Sequence, residues 1–164
     1  MLVLTIILFV LAVFFISLWV ILYFQNFERP GFKLGVNFSK SYSEYLGLDW
    51  KKAYIDILDD LKIKNVRLSA PWNEIEAFQD KWNFADLDWQ VNEAAKRNID
   101  NVMALGRRTP HWPECHDPGW IKNLPQPIVI DEQLAMMEEI VNRYKNNEYI
   151  KVWQVENEPL LDLF

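Results

Sequence analysis

Residues 65–105 read NVRLSAPWNEIEAFQDKWNFADLDWQVNEAAKRNIDNVMAL, and this stretch decides the fold. It opens on Asn65–Ser69 (NVRLS) and closes on Asn101–Leu105 (NVMAL), two short apolar runs of strand length. Between them Leu87, Val91, Ala94 and Ala95 fall on one face of a helix, with Asp86 as its predicted cap. Strand, helix and strand in that order predict two parallel strands joined by a right-handed crossover. The pattern continues in both directions. Upstream lies the strand candidate Phe32–Phe38, followed by Trp50, Ala53, Tyr54, Ile57, Leu58 and Leu61 on a helical stripe behind Asp49. Downstream, Leu134, Met137, Ile140, Val141 and Tyr144 mark a helix behind Asp131, and Tyr149–Val155 (YIKVWQV) is a fourth strand.

The resulting order is β-α-β-α-β-α-β, with strand starts about 33, 36 and 48 residues apart. Two α/β architectures share this order, an open doubly wound sheet and a (β/α)8 barrel. The first carries a glycine-rich nucleotide turn after an early strand. Here the first turn reads Asn37-Phe38-Ser39-Lys40 and lacks such glycines. Long aromatic-rich connections follow the second and third strands, on the face where a barrel places its active site. The expected fold is therefore the N-terminal half of a (β/α)8 TIM barrel, four parallel strands and three helices after one transmembrane helix. A closed barrel takes eight strands and about 250 residues. Four strands leave two open edges, so the expectation is a reading frame that stops short, just after the fourth strand.

Composition divides the chain. Of its 164 residues 51% are hydrophobic, but residues 1–24 hold no charge, and only Thr5 and Ser17 interrupt their apolar run. Outside that run the hydrophobic share is about 44%, ordinary for a soluble domain and far from a disordered composition. Leu2–Phe24 would span about 34 Å as a helix, enough for a hydrocarbon core of about 30 Å. A cleaved signal would have a shorter apolar core, a basic start and a small-residue cleavage site. The expectation is an uncleaved, single-pass signal anchor over 1–24, with Trp19 and Tyr23 at the headgroup level. A linker follows over 25–31 and a globular domain over 32–164. Arg29, Lys33 and Lys40 follow the span, which by charge alone favours a cytoplasmic domain. Net charge is -6 with no basic cluster, which argues against a nucleic-acid partner. The single cysteine, Cys115, excludes a framework of internal disulfides.

The sharpest chemical signal is Trp153-Gln154-Val155-Glu156-Asn157-Glu158-Pro159. It delivers carboxylates to the C-terminal end of a strand, where barrel enzymes place catalytic groups. Asn157-Glu158-Pro159 after an aromatic-bearing fourth strand resembles the signature of the retaining glycoside hydrolases of clan A, which include families 5 and 42. The resemblance extends to Val66-Arg67-Leu68-Ser69 as the second strand. It also takes in Pro71-Trp72-Asn73-Glu74-Ile75-Glu76 with Trp82-Asn83-Phe84-Ala85-Asp86-Leu87-Asp88 after it. It covers roughly residues 35–159 in order and spacing, and is specific for the clan rather than for one family.

The resemblance implies that Glu158 is the general acid/base, that Asn157 binds the sugar 2-hydroxyl and that Arg67 helps orient the nucleophile. An ion pair in the barrel floor is the alternative for Arg67. Retention needs a second carboxylate about 5–5.5 Å away. In the clan this is a Glu at the end of strand seven, beyond the four strands present here. Strand alternation would set Glu156 on the same side as Glu158 but deeper, so it is not expected to substitute. Glu74 and Glu76 match no catalytic role.

After the third strand, Arg107–His116 holds His111, Trp112, Cys115 and His116. Without a paired Cys-x-x-Cys element this is a weak metal pattern, so no metal or cofactor is expected. The stronger reading is a saccharide subsite in which Trp112 or Trp120 offers a flat face and His111 bonds a hydroxyl. Packing of these rings onto the loop is the alternative. Trp72 is a further candidate contact left undecided against packing, whereas Trp50, Trp89 and Trp153 are assigned mainly to packing. Two functions follow as expectations: a membrane-anchored retaining glycosidase acting on a β-linked oligo- or polysaccharide, or a catalytically incomplete carbohydrate-binding or structural module on the same anchor. Such glycans lie mostly outside the cytoplasm, so the globular part is expected there despite the charge count.

Overall fold

The computed structural model describes residues 2–27, 34–111 and 115–159, and the chain divides into two units, 1–33 and 34–164. The first unit is helix α1, Leu2–Phe27. Its segment Thr5–Tyr23 is long and apolar enough to cross a membrane, a property that signal sequences share. Side chains along it are open, Phe9 at 69% and Trp19 at 66%, and the Trp19 and Tyr23 rings stack 5.6 Å apart.

The second unit contains four parallel strands, β1 (Gly35–Phe38), β2 (Asn65–Pro71), β3 (Asp100–Gly106) and β4 (Ile150–Val155). Each pairs with the next, so their spatial order is their chain order. A doubly wound sheet reverses direction at a switch point after its first strands, whereas a barrel adds strands in one direction. The unbroken order is that of a partial (β/α)8 barrel. At its start β1 packs tightly: a Cβ on Gly35 would sit 2.7 Å from the Asn65 carbonyl oxygen, so glycine permits the pairing.

Helices α3 (Trp50–Asp60), α5 (Ala85–Lys96) and α6 (Gln126–Tyr144) are the three crossovers. In β2 the residues alternate: Val66, Leu68 and Ala70 are buried, and Asn65, Arg67, Ser69 and Pro71 are half-buried. The buried set joins Tyr54 and Leu58 of α3, Leu87 and Val91 of α5, Met103 and Leu105 of β3, and Met136 and Ile140 of α6 in one core. Outer strand β4 is more open, with Val152 50% and Val155 61% exposed.

Two helix starts differ from the sequence expectation. Asp49 does cap α3, accepting from the Lys51 and Lys52 amides at 3.0 and 3.1 Å. Asp86, by contrast, lies within the first turn of α5, whose Ala85 amide is received by Asn83 Oδ1 at 3.2 Å. Helix α6 begins at Gln126, ahead of Asp131, because Pro127 fits the first turn without needing an amide hydrogen. Three short elements had no periodic signal: α2 (Lys40–Tyr45), α4 (Trp72–Ile75) and a 3-10 turn at Gly119–Asn123. Replacing Asp49 by Ala is expected to cost about 1 kcal/mol in urea unfolding, because two first-turn amides lose their acceptor.

Candidate functional site

The site grows from the C-terminal ends of β2, β3 and β4. Arg67 projects from the half-buried side of β2, and its Nη2 donates to Asn157 Oδ1 at 3.1 Å. Burial draws the guanidinium pKa down, and its Nε is buried without an acceptor among the described residues. Arg67 and Asn157, 90 residues apart in sequence, are thus in direct contact, and Glu158 follows immediately, exposed to solvent.

The segment after β4 is not extended. Glu156 and Glu158 have φ of 59° and 53°, in the left-handed region that ordinary side chains seldom occupy. This overturns the alternation argument for Glu156, because a left-handed residue breaks the two-residue side-chain period. Its carboxylate turns back toward the end of β3, accepting from the Arg107 amide at 2.9 Å and the Arg108 amide at 2.8 Å. Gln133 of α6 also donates to it, and the Glu156 amide donates to the Leu105 carbonyl at 2.8 Å. One residue on, the Asn157 amide donates to the Arg108 carbonyl at 3.1 Å. Gly106 makes room for this arrangement, since a Cβ there would lie 2.5 Å from the Glu156 carboxyl carbon. Glu156, Gln133 and Gly106 share no spacing or motif that marks them as a group in the sequence. A glycine at a strand end was their one local signal.

Trp72 corrects an expectation. It is completely buried, its Nε1 donates to Glu76 Oε2 at 2.8 Å, and Trp120 meets it edge to face at 5.8 Å. With no open face it packs the base of the loop and offers no platform to a sugar. Trp120 is half-buried and donates to the Glu76 carbonyl at 3.0 Å. His111 is exposed, with φ of 88°, and stacks on Tyr42 of α2 at 4.8 Å. Trp112 lies outside the described residues. Among the described residues no group of three or more His, Cys, Asp or Glu is placed to hold a metal ion.

Glu76 is buried at 1% exposure and has no cation beside it in its hydrogen bonds. Burial raises its pKa above the ordinary 4.5, partly offset by the Trp72 indole and the Asp80 amide, which donates at 2.8 Å. A carboxyl that holds its proton more tightly when folded makes stability fall as pH rises through that window. Measured against Glu76→Gln, the wild-type protein is therefore expected to lose relative stability as pH rises above the ordinary carboxyl value of 4.5 in thermal unfolding. A flat difference would refute the burial effect.

No protein-family model matches the sequence, and no curated protein does. Solved structures do resemble it. A GH5_18 protein from Streptomyces cattleya, solved with GlcNAc, aligns at TM-score 0.61 and 18% identity over 77% of this chain and 33% of its own. An exo-beta-1,4-mannosidase from Opitutaceae bacterium strain TAV5 aligns at 0.62 and 15%, over 77% of this chain and 25% of its own. A beta-galactosidase from the haloarchaeon Halorubrum lacusprofundi aligns at 0.59 and 18%, over 77% and 21%. The chain thus spans between a fifth and a third of the length of these structures. At such identities the likeness concerns the fold alone, and that fold is a partial (β/α)8 barrel.

Proposed function

We propose that this chain is the part of a membrane-anchored retaining glycoside hydrolase that carries its general acid/base, Glu158. The observation that supports this best is the Arg67–Asn157 contact, which reaches across β3 from β2 to the segment just after β4. In the proposed reaction Glu158 gives its proton to the glycosidic oxygen as the bond to the anomeric carbon breaks. A second carboxylate, from further barrel strands, attacks that carbon to form a glycosyl-enzyme, and Glu158 then takes a proton from the water that releases the sugar. Asn157 holds the 2-hydroxyl, Arg67 orients the second carboxylate, and His111, Trp112 and Trp120 line the sugar subsite. Residues 1–24 act as the anchor, 25–31 as the linker, and the domain from 32 onward lies outside the cytoplasm.

The three structural neighbours carry names that point to different sugars, so the reading extends to a β-linked glycan as a class. It is tested by incubating the full-length gene product with aryl β-mannosides, β-galactosides and β-N-acetylglucosaminides and following the first-formed anomer by NMR. Hydrolysis with retention is expected, and inversion refutes the mechanism. Saccharide binding without turnover would instead identify a carbohydrate-binding module. Protease access to the domain on intact cells tests the topology.

A further inference from the structure

Both carboxylate oxygens of Glu156 are engaged. Its Oε1 receives the Arg107 amide and the Gln133 side chain, and its Oε2 receives the Arg108 amide. Two successive backbone amides pointing at one carboxylate form a small anion cradle, and such charge-assisted bonds are about twice as strong as neutral ones. The carboxylate occupies this cradle from a different strand, and its backbone enters a left-handed turn to reach it. The flanking bonds, Glu156 amide to Leu105 carbonyl and Asn157 amide to Arg108 carbonyl, close the same seam. Gly106 at φ 134° leaves the space the carboxylate fills.

We infer that Glu156 is a positioning residue. It fastens the turn after β4 to the end of β3 and to α6, and so fixes where Asn157 and Glu158 stand at the mouth. That it positions a reaction rests on the reading of Glu158 as acid/base, whereas the fastening itself does not. A left-handed turn of two non-glycine residues costs energy and persists only where its surroundings hold it. Without the carboxylate the turn is free to relax, and Glu158 is exposed and stands outside the described core.

The test uses Glu156→Gln, which keeps the size but offers one acceptor oxygen and one donor where two acceptors stood. In the full chain in detergent micelles, amide exchange at Arg107, Arg108 and Asn157 is expected to accelerate at least about tenfold. Val66 and Leu68 in β2 are expected to keep their protection. Gln133→Ala, which removes only the α6 donor, is expected to give the same pattern at smaller size. Unchanged exchange at these three amides in both variants overturns the inference, as does a uniform rise through all strands, which would mark Glu156 as ordinary packing. In the full-length gene product kcat is expected to fall about 10- to 100-fold with KM little changed, as for a displaced catalytic group. Equal kcat in Glu156→Gln and wild type overturns the positioning role. The exchange pattern without any hydrolysis by the wild type leaves the fastening intact and removes the reading of Glu158.

Discussion

Glu158→Gln in the full-length gene product is expected to fold normally and to lose about 10²- to 10⁴-fold in turnover of a β-glycoside, the usual worth of a positioned general acid. Folding is spared because Glu158 is exposed and contributes nothing to the core. The loss depends on the leaving group, which separates an acid from a binding residue. An alkyl glycoside needs a proton on its departing oxygen and should suffer most. A dinitrophenyl glycoside leaves unaided, so its bond-breaking step should be nearly unaffected while release of the glycosyl-enzyme slows, giving a burst. Single-turnover kinetics on the two substrates checks this. An equal loss on both, or retained turnover on the alkyl glycoside, places the acid elsewhere.

Trp72→Ala is expected to destabilise the second unit by about 3–5 kcal/mol in urea unfolding. The side chain is fully buried against Trp120, so its removal leaves a cavity that the short helix α4 cannot collapse to fill. Trp72→Phe separates packing from hydrogen bonding. It retains most of the volume but leaves Glu76 Oε2 without its indole donor, and about 1–3 kcal/mol is expected from that alone. If Phe proves neutral, the buried carboxylate does not depend on the indole. If Ala costs under about 1 kcal/mol, the loop base is looser than its burial implies.

The strand and helix order was legible because each element states its period locally. β2 alternates buried and half-buried residues as its sequence does, and Asp49 caps α3 where the apolar stripe begins. The starts of α5 and α6 were displaced because a helix can begin before its first carboxylate when another group, Asn83 or Pro127, satisfies or omits the first amides. Trp72 shows the opposite limit: a tryptophan in a loop can serve packing or recognition, and composition does not separate the two.

By itself the sequence determined the parallel α/β order, the apolar segment near the N-terminus, and a fourth strand with Asn157 and Glu158 just beyond its end, since all three are patterns of adjacent or evenly spaced residues. Only the tertiary structure decided that Arg67 meets Asn157, that Trp72 is closed off, and that Glu156 turns back into the amides of Arg107 and Arg108. Those outcomes depend on backbone groups and left-handed turns brought together from strands tens of residues apart. A side-chain alphabet does not record where a backbone amide points, and that direction is what separates one glutamate of the run from the other.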